Sequence, residues 1–465
     1  MRYVSTRGEA PALRFEEATL AGLASDGGLY VPEAWPELAP DEIAALAGLS
    51  YAETAARVMA PFVGDALSAA ELRGLCEAAY GRFSHAAVTP LVQLDARHWL
   101  LELFHGPTLA FKDVALQLLG LFFERFLRDR DTHLTIVGAT SGDTGSAAID
   151  AVAGRAKVDI FMLHPAGRVS DVQRRQMTTV LAPNVHNVAI DGSFDDAQAL
   201  VKAMFADRDF AGRFRLSAVN SINWARLMAQ VVYYFHAAVR LGAPGRAVAF
   251  SVPTGNFGDV FAGYVAARMG LPVARLIVAT NVNDILHRAL AAGDYSAGTV
   301  TPTAAPSMDI QVSSNFERLL FDLHGRDPGA LAAAMRGFET SRAMTLPPAL
   351  RDEAARLFAS ARIDADGMAL AMRWAAREAG QVLDPHTAIG LAAARGADLP
   401  ADVPVVTLAT AHPAKFPDAV ERATGHRPAL PPRIGDLFAR EERCARLPAT
   451  LDAVEAYVAE RAVPA

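Results

Sequence analysis

Lysine is nearly missing from this chain. Of its 44 basic residues only four are lysine, at positions 112, 157, 202 and 415, and the rest of the positive charge is guanidinium. Cysteine is scarcer still: Cys76 and Cys444 lie far apart, in stretches that read as helix, with no metal-ligand spacing around them. That excludes a disulfide framework and leaves no metal site to expect, only two reduced thiols. Long apolar runs are absent too. The uncharged run "VALQLLGLFF" is about half of what a membrane span needs, and "MRYVSTRGEAPALRF" at the start has no signal-peptide core. Nor is there a dense basic run, and the net charge is -7, which argues against a nucleic-acid surface. The expectation is a cytoplasmic protein with small-molecule partners, no nucleic acid and no membrane.

What is present is apolar bulk. The 465 residues are 52% hydrophobic and 20% charged, more than one core usually organises. Residues 1–90 are helix-rich and rich in Ala and Leu, interrupted by the turn "ASDGGLYVPEAWP", and read as a separate N-terminal region. From Leu134 short β-branched runs alternate with amphipathic helices ("LTIVGA", then "TGSAAIDAVAG"; "VDIFML", then "SDVQRRQMTTV"). That is the pattern of βαβ units. It predicts an α/β fold, with open, mostly parallel sheets and helices on both faces. The expected divisions are 1–90, 91–245 and 246–465, the last with a helical insertion at about 325–400. Ser314 and Glu317 are spaced as a capping box, and "VPVVTLAT" at 403–410 reads as a buried strand.

Two glycine turns sit where strands hand over to helices, the edge at which open parallel sheets bind ligands. "GATSGDTGSAA" at 138–148 offers the hydroxyls of Thr140, Ser141 and Thr144 together with backbone N–H groups. "PTGNFGDVFAG" at 253–263 offers Gly255, Asn256, Phe257 and Gly258. One such turn is commonly a plain connection; two, both ahead of helix N-termini, suit anions. Neither is a P-loop or a dinucleotide fingerprint.

The scarcity of lysine then bears on "FHGPTLAFKDVALQ". Arginine neither deprotonates at working pH nor forms an imine, whereas a desolvated lysine does both. An amine kept at Lys112 in an arginine-rich chain points to use of that amine. Lys157 and Lys202 read as solvated.

An imine-forming lysine beside a glycine phosphate cup suggests pyridoxal phosphate, and the chain resembles the threonine synthases of bacterial and fungal type, in fold type II of the pyridoxal-phosphate enzymes. The resemblance rests on "RYVSTRG", "SDGGLYVP", "ELFHGPTLAFKD", "GATSGDTGSAA", "GRVSDVQRRQMTT", "NSINWARLMAQVVYYF", "SVPTGNFGD", "PSMDIQVSSNFERLLF" and "TLATAHPAKF". It implies pyridoxal 5'-phosphate bonded to Lys112. It also implies that Gly255, Asn256, Phe257, Gly258 and Asp259 line the cofactor, and that Thr410 sits against the pyridine nitrogen. The implied reaction turns O-phospho-L-homoserine and water into L-threonine and phosphate, with the freed Lys112 as base. The same resemblance places the turn Thr140, Ser141, Gly142, Asp143 and Thr144 at the substrate carboxylate; because one carboxylate repels another, Ser141, Thr144 and backbone N–H groups are expected to make the contacts with Asp143 turned aside. Arg168, His412, Lys415 and the amides of Asn220 and Asn223 are the expected partners of the substrate phosphate. A monomer or weak homodimer is expected. Two other readings stay open here: a related pyridoxal-phosphate lyase or dehydratase, and a non-catalytic relative.

Overall fold

The computed structural model describes residues 1–219 and 221–464. Two parallel sheets organise it. The first has six strands in the order Phe358–Arg362, Val273–Thr280, Val248–Pro253, Val405–Ala409, His98–Glu102 and Leu91–Gln93, and only the last pair is antiparallel. Val248–Pro253 and Val405–Ala409 are buried at every position. Strands covered on both faces need apolar residues throughout, which is why "VPVVTLAT" shows no alternation. The second sheet has five strands, Ala445–Pro448, Val185–Asp191, Val158–Pro165, Leu134–Ala139 and Leu216–Ser217, all parallel.

The expected divisions do not coincide with these sheets. His98–Glu102 pairs in register with Val405–Ala409, so the first sheet draws on both sides of residue 245. Ala445–Pro448 returns to the second sheet beside Val185–Asp191. The helical insertion at 325–400 also needs correction: Phe358–Arg362 is the edge strand of the first sheet, paired with Val273–Thr280. Its sequence, FASAR, is built from small and polar residues with little β-propensity, so tertiary pairing rather than local preference makes it a strand.

The N-terminal region is anchored, not appended. Arg2–Ser5 pairs with Leu13–Arg14 and Tyr30–Pro32, and the helix Tyr51–Val63 packs on the helix Trp224–Arg240. That long helix, mostly apolar around its circumference, is buried from Trp224 to Val239, with Arg226, Gln230 and His236 buried along it. At its start the Trp224 ring meets Tyr3 at 5.9 Å, Trp35 at 6.0 Å and Phe62 at 5.6 Å. The expected Ser314/Glu317 capping box does not form. The helix Phe316–Leu323 is preceded by Asn315, and Glu317 instead accepts hydrogen bonds from Thr6 at 2.7 Å and Arg7 at 3.1 Å.

Candidate active site

The carboxyl ends of both sheets face one cavity of about 320 Å³. From the second sheet, Leu134–Ala139 leads through "TSGDTG" into the helix Asp143–Val152; from the first, Val248–Pro253 leads through "TGNF" into the helix Gly258–Arg268. Lys112 opens the helix Lys112–Arg130. The approach to it is fixed by pairing between residues 103–112 and 409–412: the Leu103 N–H donates to Ala409 O at 3.0 Å, the Phe111 N–H to Thr410 O at 2.8 Å, and the His412 N–H to Leu109 O at 3.0 Å. That pairing sets Lys112 beside Thr410 on the cavity wall.

The two turns have different chemistry. In the first sheet's turn, Phe257 takes a left-handed conformation at φ 63° and the backbone N–H groups that start the helix Gly258–Arg268 are presented to the cavity. Gly255 is required there: a Cβ would lie 2.7 Å from Ser307 O. Gly258 is less confined, with Asn315 Nδ2 at 3.2 Å from its built Cβ. The Asn256 side chain donates to Ser221 Oγ and accepts from the Ser314 N–H at 2.9 Å, holding the turn open. Asp259 is buried behind the turn, takes hydrogen bonds from the hydroxyls of Tyr233 and Tyr234, and is pushed up to about 6 by burial.

The second sheet's turn carries charge. Asp143 Oδ1 accepts from Lys415 Nζ at 2.7 Å and from Gln173 Nε2 at 2.8 Å, while Oδ2 faces Lys112 Nζ at 3.5 Å. Burial alone would raise this carboxyl, but the ammonium groups of Lys415 and then Lys112 hold it far below the usual range. Burial lowers the proton affinity of Lys112, and Arg226 and Lys415 add to the effect against the pull of Asp143. Arg226 also lines the cavity. It donates to Val219 O at 3.1 Å, and burial pushes it down to about 10.

These residues fit pyridoxal phosphate. Lys112 offers a buried amine of lowered proton affinity for the aldehyde. The Gly255–Gly258 turn is a cradle that a Cβ at Gly255 would fill, and Thr410 stands on the same wall.

Residues 2–80 match the family described as threonine synthase N terminus, residues 387–458 that of the threonine synthase C-terminal region, and residues 83–344 that of the pyridoxal-phosphate dependent enzymes. The threonine synthase of Pseudomonas aeruginosa is 57% identical over 99% of this chain and 98% of its own length. The chain belongs to the threonine synthase family. A crystal structure of pyridoxal-phosphate-bound threonine synthase from Brucella melitensis superposes with a TM-score of 0.97 at 54% identity, covering 99% of both chains. The yeast threonine synthase structure does so with a TM-score of 0.93 at 37% identity, covering 99% of this chain and 98% of that one. The fold is therefore fold type II, and the cofactor is pyridoxal phosphate.

Within this threonine synthase fold, the cavity is lined by Lys112, Thr140, Ser141, Asp143, Thr144, Gly255, Asn256, Phe257, Gly258, Asp259 and Thr410. Gly142 stands just behind the wall at φ 141°, and a Cβ there would lie 2.4 Å from the Gln173 amide carbon. Asp143 is not turned aside: it is on the wall, neutralised by two lysines. The expected phosphate partners fare worse. Lys415 is fully buried against Asp143 and Thr108 O. Asn223 caps the helix Trp224–Arg240, accepting from the Ala225 N–H and donating to Thr19 O at 2.9 Å. His412 accepts from the Ala414 N–H at 3.1 Å, off the cavity wall, and burial pushes it down to about 4. Arg168 is exposed on the turn after Val158–Pro165 and lies outside the cavity lining. Asn220 lies outside the described residues.

Arg226, Ser221 and His386 line the cavity without having been singled out from the sequence. Arg226 had a signal: a cation in the first turn of a helix opposes the dipole there. His386 is set by Asp384, which caps the helix Pro385–Gly396 and also accepts from His386 Nδ1 at 2.7 Å, a pairing seen only in the structure.

Proposed function

We propose that the protein converts O-phospho-L-homoserine and water into L-threonine and phosphate, with Lys112 as the base and Arg226 as the cation for the substrate phosphate. The observation that carries this reading is the pairing of functions in one cavity: a buried amine with lowered proton affinity, and a buried guanidinium with no carboxylate against it among the described residues. A substrate with a second phosphoryl group needs such a cation apart from the glycine cradle.

When bound, pyridoxal phosphate supplies the electron sink that acidifies the α and β protons of an amino acid. The chain's own groups do the rest. N–H groups of the Gly255–Gly258 turn and of the helix behind it receive the cofactor phosphate, favoured by the helix dipole. Ser141, Thr144 and the first N–H groups of the helix Asp143–Val152 receive the substrate carboxylate. Asp143 does not repel that carboxylate, because Lys415 and Lys112 face it. Burial lowers the proton affinity of the Lys112 amine, which readies it to accept the proton from Cα and to return it at the end. Arg226, with the Ser221 hydroxyl at the same wall, steadies the phosphate as its negative charge grows on departure. Thr410, a neutral hydroxyl, would face the ring nitrogen without supplying it a charge partner and so would moderate the sink.

The test is product identity. Cofactor-loaded protein given O-phospho-L-homoserine is expected to release phosphate and L-threonine in equal amounts. Release of a 2-oxoacid in place of threonine would assign a lyase of different outcome, and release of neither would remove the assignment.

A further inference from the structure

Two lysines converge on one carboxylate at the cavity, and only one of them reaches the cavity surface. Lys112 lines it; Lys415 does not, being fully buried in the short turn Pro413–Lys415 that follows the first sheet's strand Val405–Ala409. Its ammonium donates to Asp143 Oδ1 at 2.7 Å and to Thr108 O at 2.8 Å, and Thr108 O also receives Gln176 Nε2 at 3.0 Å. Gln173 Nε2 takes the same Asp143 oxygen at 2.8 Å. One carboxylate oxygen is thereby held from behind by two donors, and the other is left for Lys112. An ammonium so enclosed has no path to a ligand, and without a carboxylate opposite it its burial would be strongly unfavourable.

We propose that Lys415 is a positioning residue for the reaction: it reaches from the first sheet to fix Asp143 of the second, so that one Asp143 oxygen faces Lys112 and sets how readily Lys112 gives and takes a proton. This rests on the reading of Lys112 as the reacting amine. It also accounts for an aspartate in the substrate turn, where a bare carboxylate would oppose the substrate's own: Asp143 answers Lys415, and the three groups together are one positive charge rather than a naked negative one.

The charged groups facing Lys112 are Asp143, Arg226, Lys415 and, from the helix Gly258–Arg268, Asp259; Lys415 is faced by Asp143, Lys112 and Asp113. The signs follow. Lys415→Met removes a cation and frees Asp143 to pair with Lys112 alone, so Lys112 stays protonated to higher pH. Asp143→Asn leaves cations only, so Lys112 loses its proton at lower pH. The acid limb of the kcat profile reports groups in the substrate complex, and the two substitutions are expected to move its midpoint in opposite directions, each by about one pH unit. The double variant Asp143→Asn/Lys415→Met is expected to lie between them. It should also regain part of the Tm and of the cofactor retained on dialysis that Asp143→Asn loses, since it no longer buries an unpaired ammonium.

Lys415→Met with an unmoved midpoint but weakened inhibition by inorganic phosphate would overturn the proposal and make Lys415 a phosphate ligand. A fall in Tm with no midpoint shift in any variant would overturn it in favour of a purely structural pair. Should Lys415→Met fail to fold, Gln173→Leu removes the other rear donor without stranding a charge and is expected to raise the midpoint by a smaller amount; no shift there overturns the proposal. Absence of threonine formation by the unsubstituted protein would instead strike the functional reading beneath it.

Discussion

The two turns that bound the cavity do the same structural job with opposite means. Both follow a parallel strand and both open a helix, at Gly258 and at Asp143. The Gly255–Gly258 turn works by exclusion: no side chain is tolerated at Gly255, and the turn borders the cavity directly. The Thr140–Thr144 turn works by compensation, with a carboxylate in the anion site and two lysines, one from beyond the wall, to cancel it. A glycine cradle serves a ligand that stays, because its fixed dipoles need no adjustment. A compensated charge serves a ligand that comes and goes, since its balance changes with the protonation of Lys112. The contrast also explains why the stretch around Lys415 misleads when read as loop chemistry: the lysine is buried behind the cavity wall, against Asp143.

The largest effect belongs to the residue that joins the two turns. Lys112→Ala is expected to abolish turnover and the visible absorbance of the bound cofactor while the circular dichroism spectrum stays native; turnover near the unsubstituted rate would separate Lys112 from the chemistry. Next comes the cradle. Gly255→Val places atoms where Ser307 O already stands, 2.7 Å from the Cβ position, and is expected to release most of the cofactor on dialysis. The less confined Gly258→Ala should retain more of it.

Arg226→Met tests the cation between the turns. A charge-assisted hydrogen bond is worth about 1.5 to 3 kcal/mol, so kcat/KM for O-phospho-L-homoserine should fall on the order of ten- to a hundredfold. Inhibition by inorganic phosphate should weaken in parallel. Equal loss with a substrate analogue lacking the phosphate would place Arg226 elsewhere in the reaction.

The smallest effect concerns Asp259, the carboxyl behind the uncharged turn. Its folded value of about 6 stands above the ordinary 3.8, so the folded chain holds a proton that the unfolded chain has lost between those values, and stability declines as pH rises through that window. Asp259→Asn lacks this loss. The Tm of the variant relative to the unsubstituted protein is expected to be higher at pH 8 than at pH 4; an unchanged difference would mean that Asp259 is ionised without cost.

Much of this was legible in the residues. Strand and helix alternation and both glycine turns follow from periodicity and from the special φ of their loops, which are local properties. Lys112 stood out because lysine is rare in the chain. What was not legible depends on pairing across sequence distance. Phe358–Arg362 is a strand because Val273–Thr280 lies beside it. Lys415 and Asn223 sit in motifs that match the family, yet one meets Asp143 and the other caps a helix. A motif gives residue types; whether a polar group faces ligand or protein is decided by the elements packed behind it. Arg226 shows the reverse case, a residue in the first turn of a long buried helix that lines the cavity with no salt bridge to a carboxylate among the described residues.

The most direct measurement is a crystal structure of the cofactor-loaded protein grown with inorganic phosphate. The account predicts the cofactor phosphate on the N–H groups of the Gly255–Gly258 turn, and a second phosphate against Arg226 and the Ser221 hydroxyl, with Lys415 still on Asp143. A second phosphate held by Lys415 or Arg168, with Arg226 turned away, would contradict it.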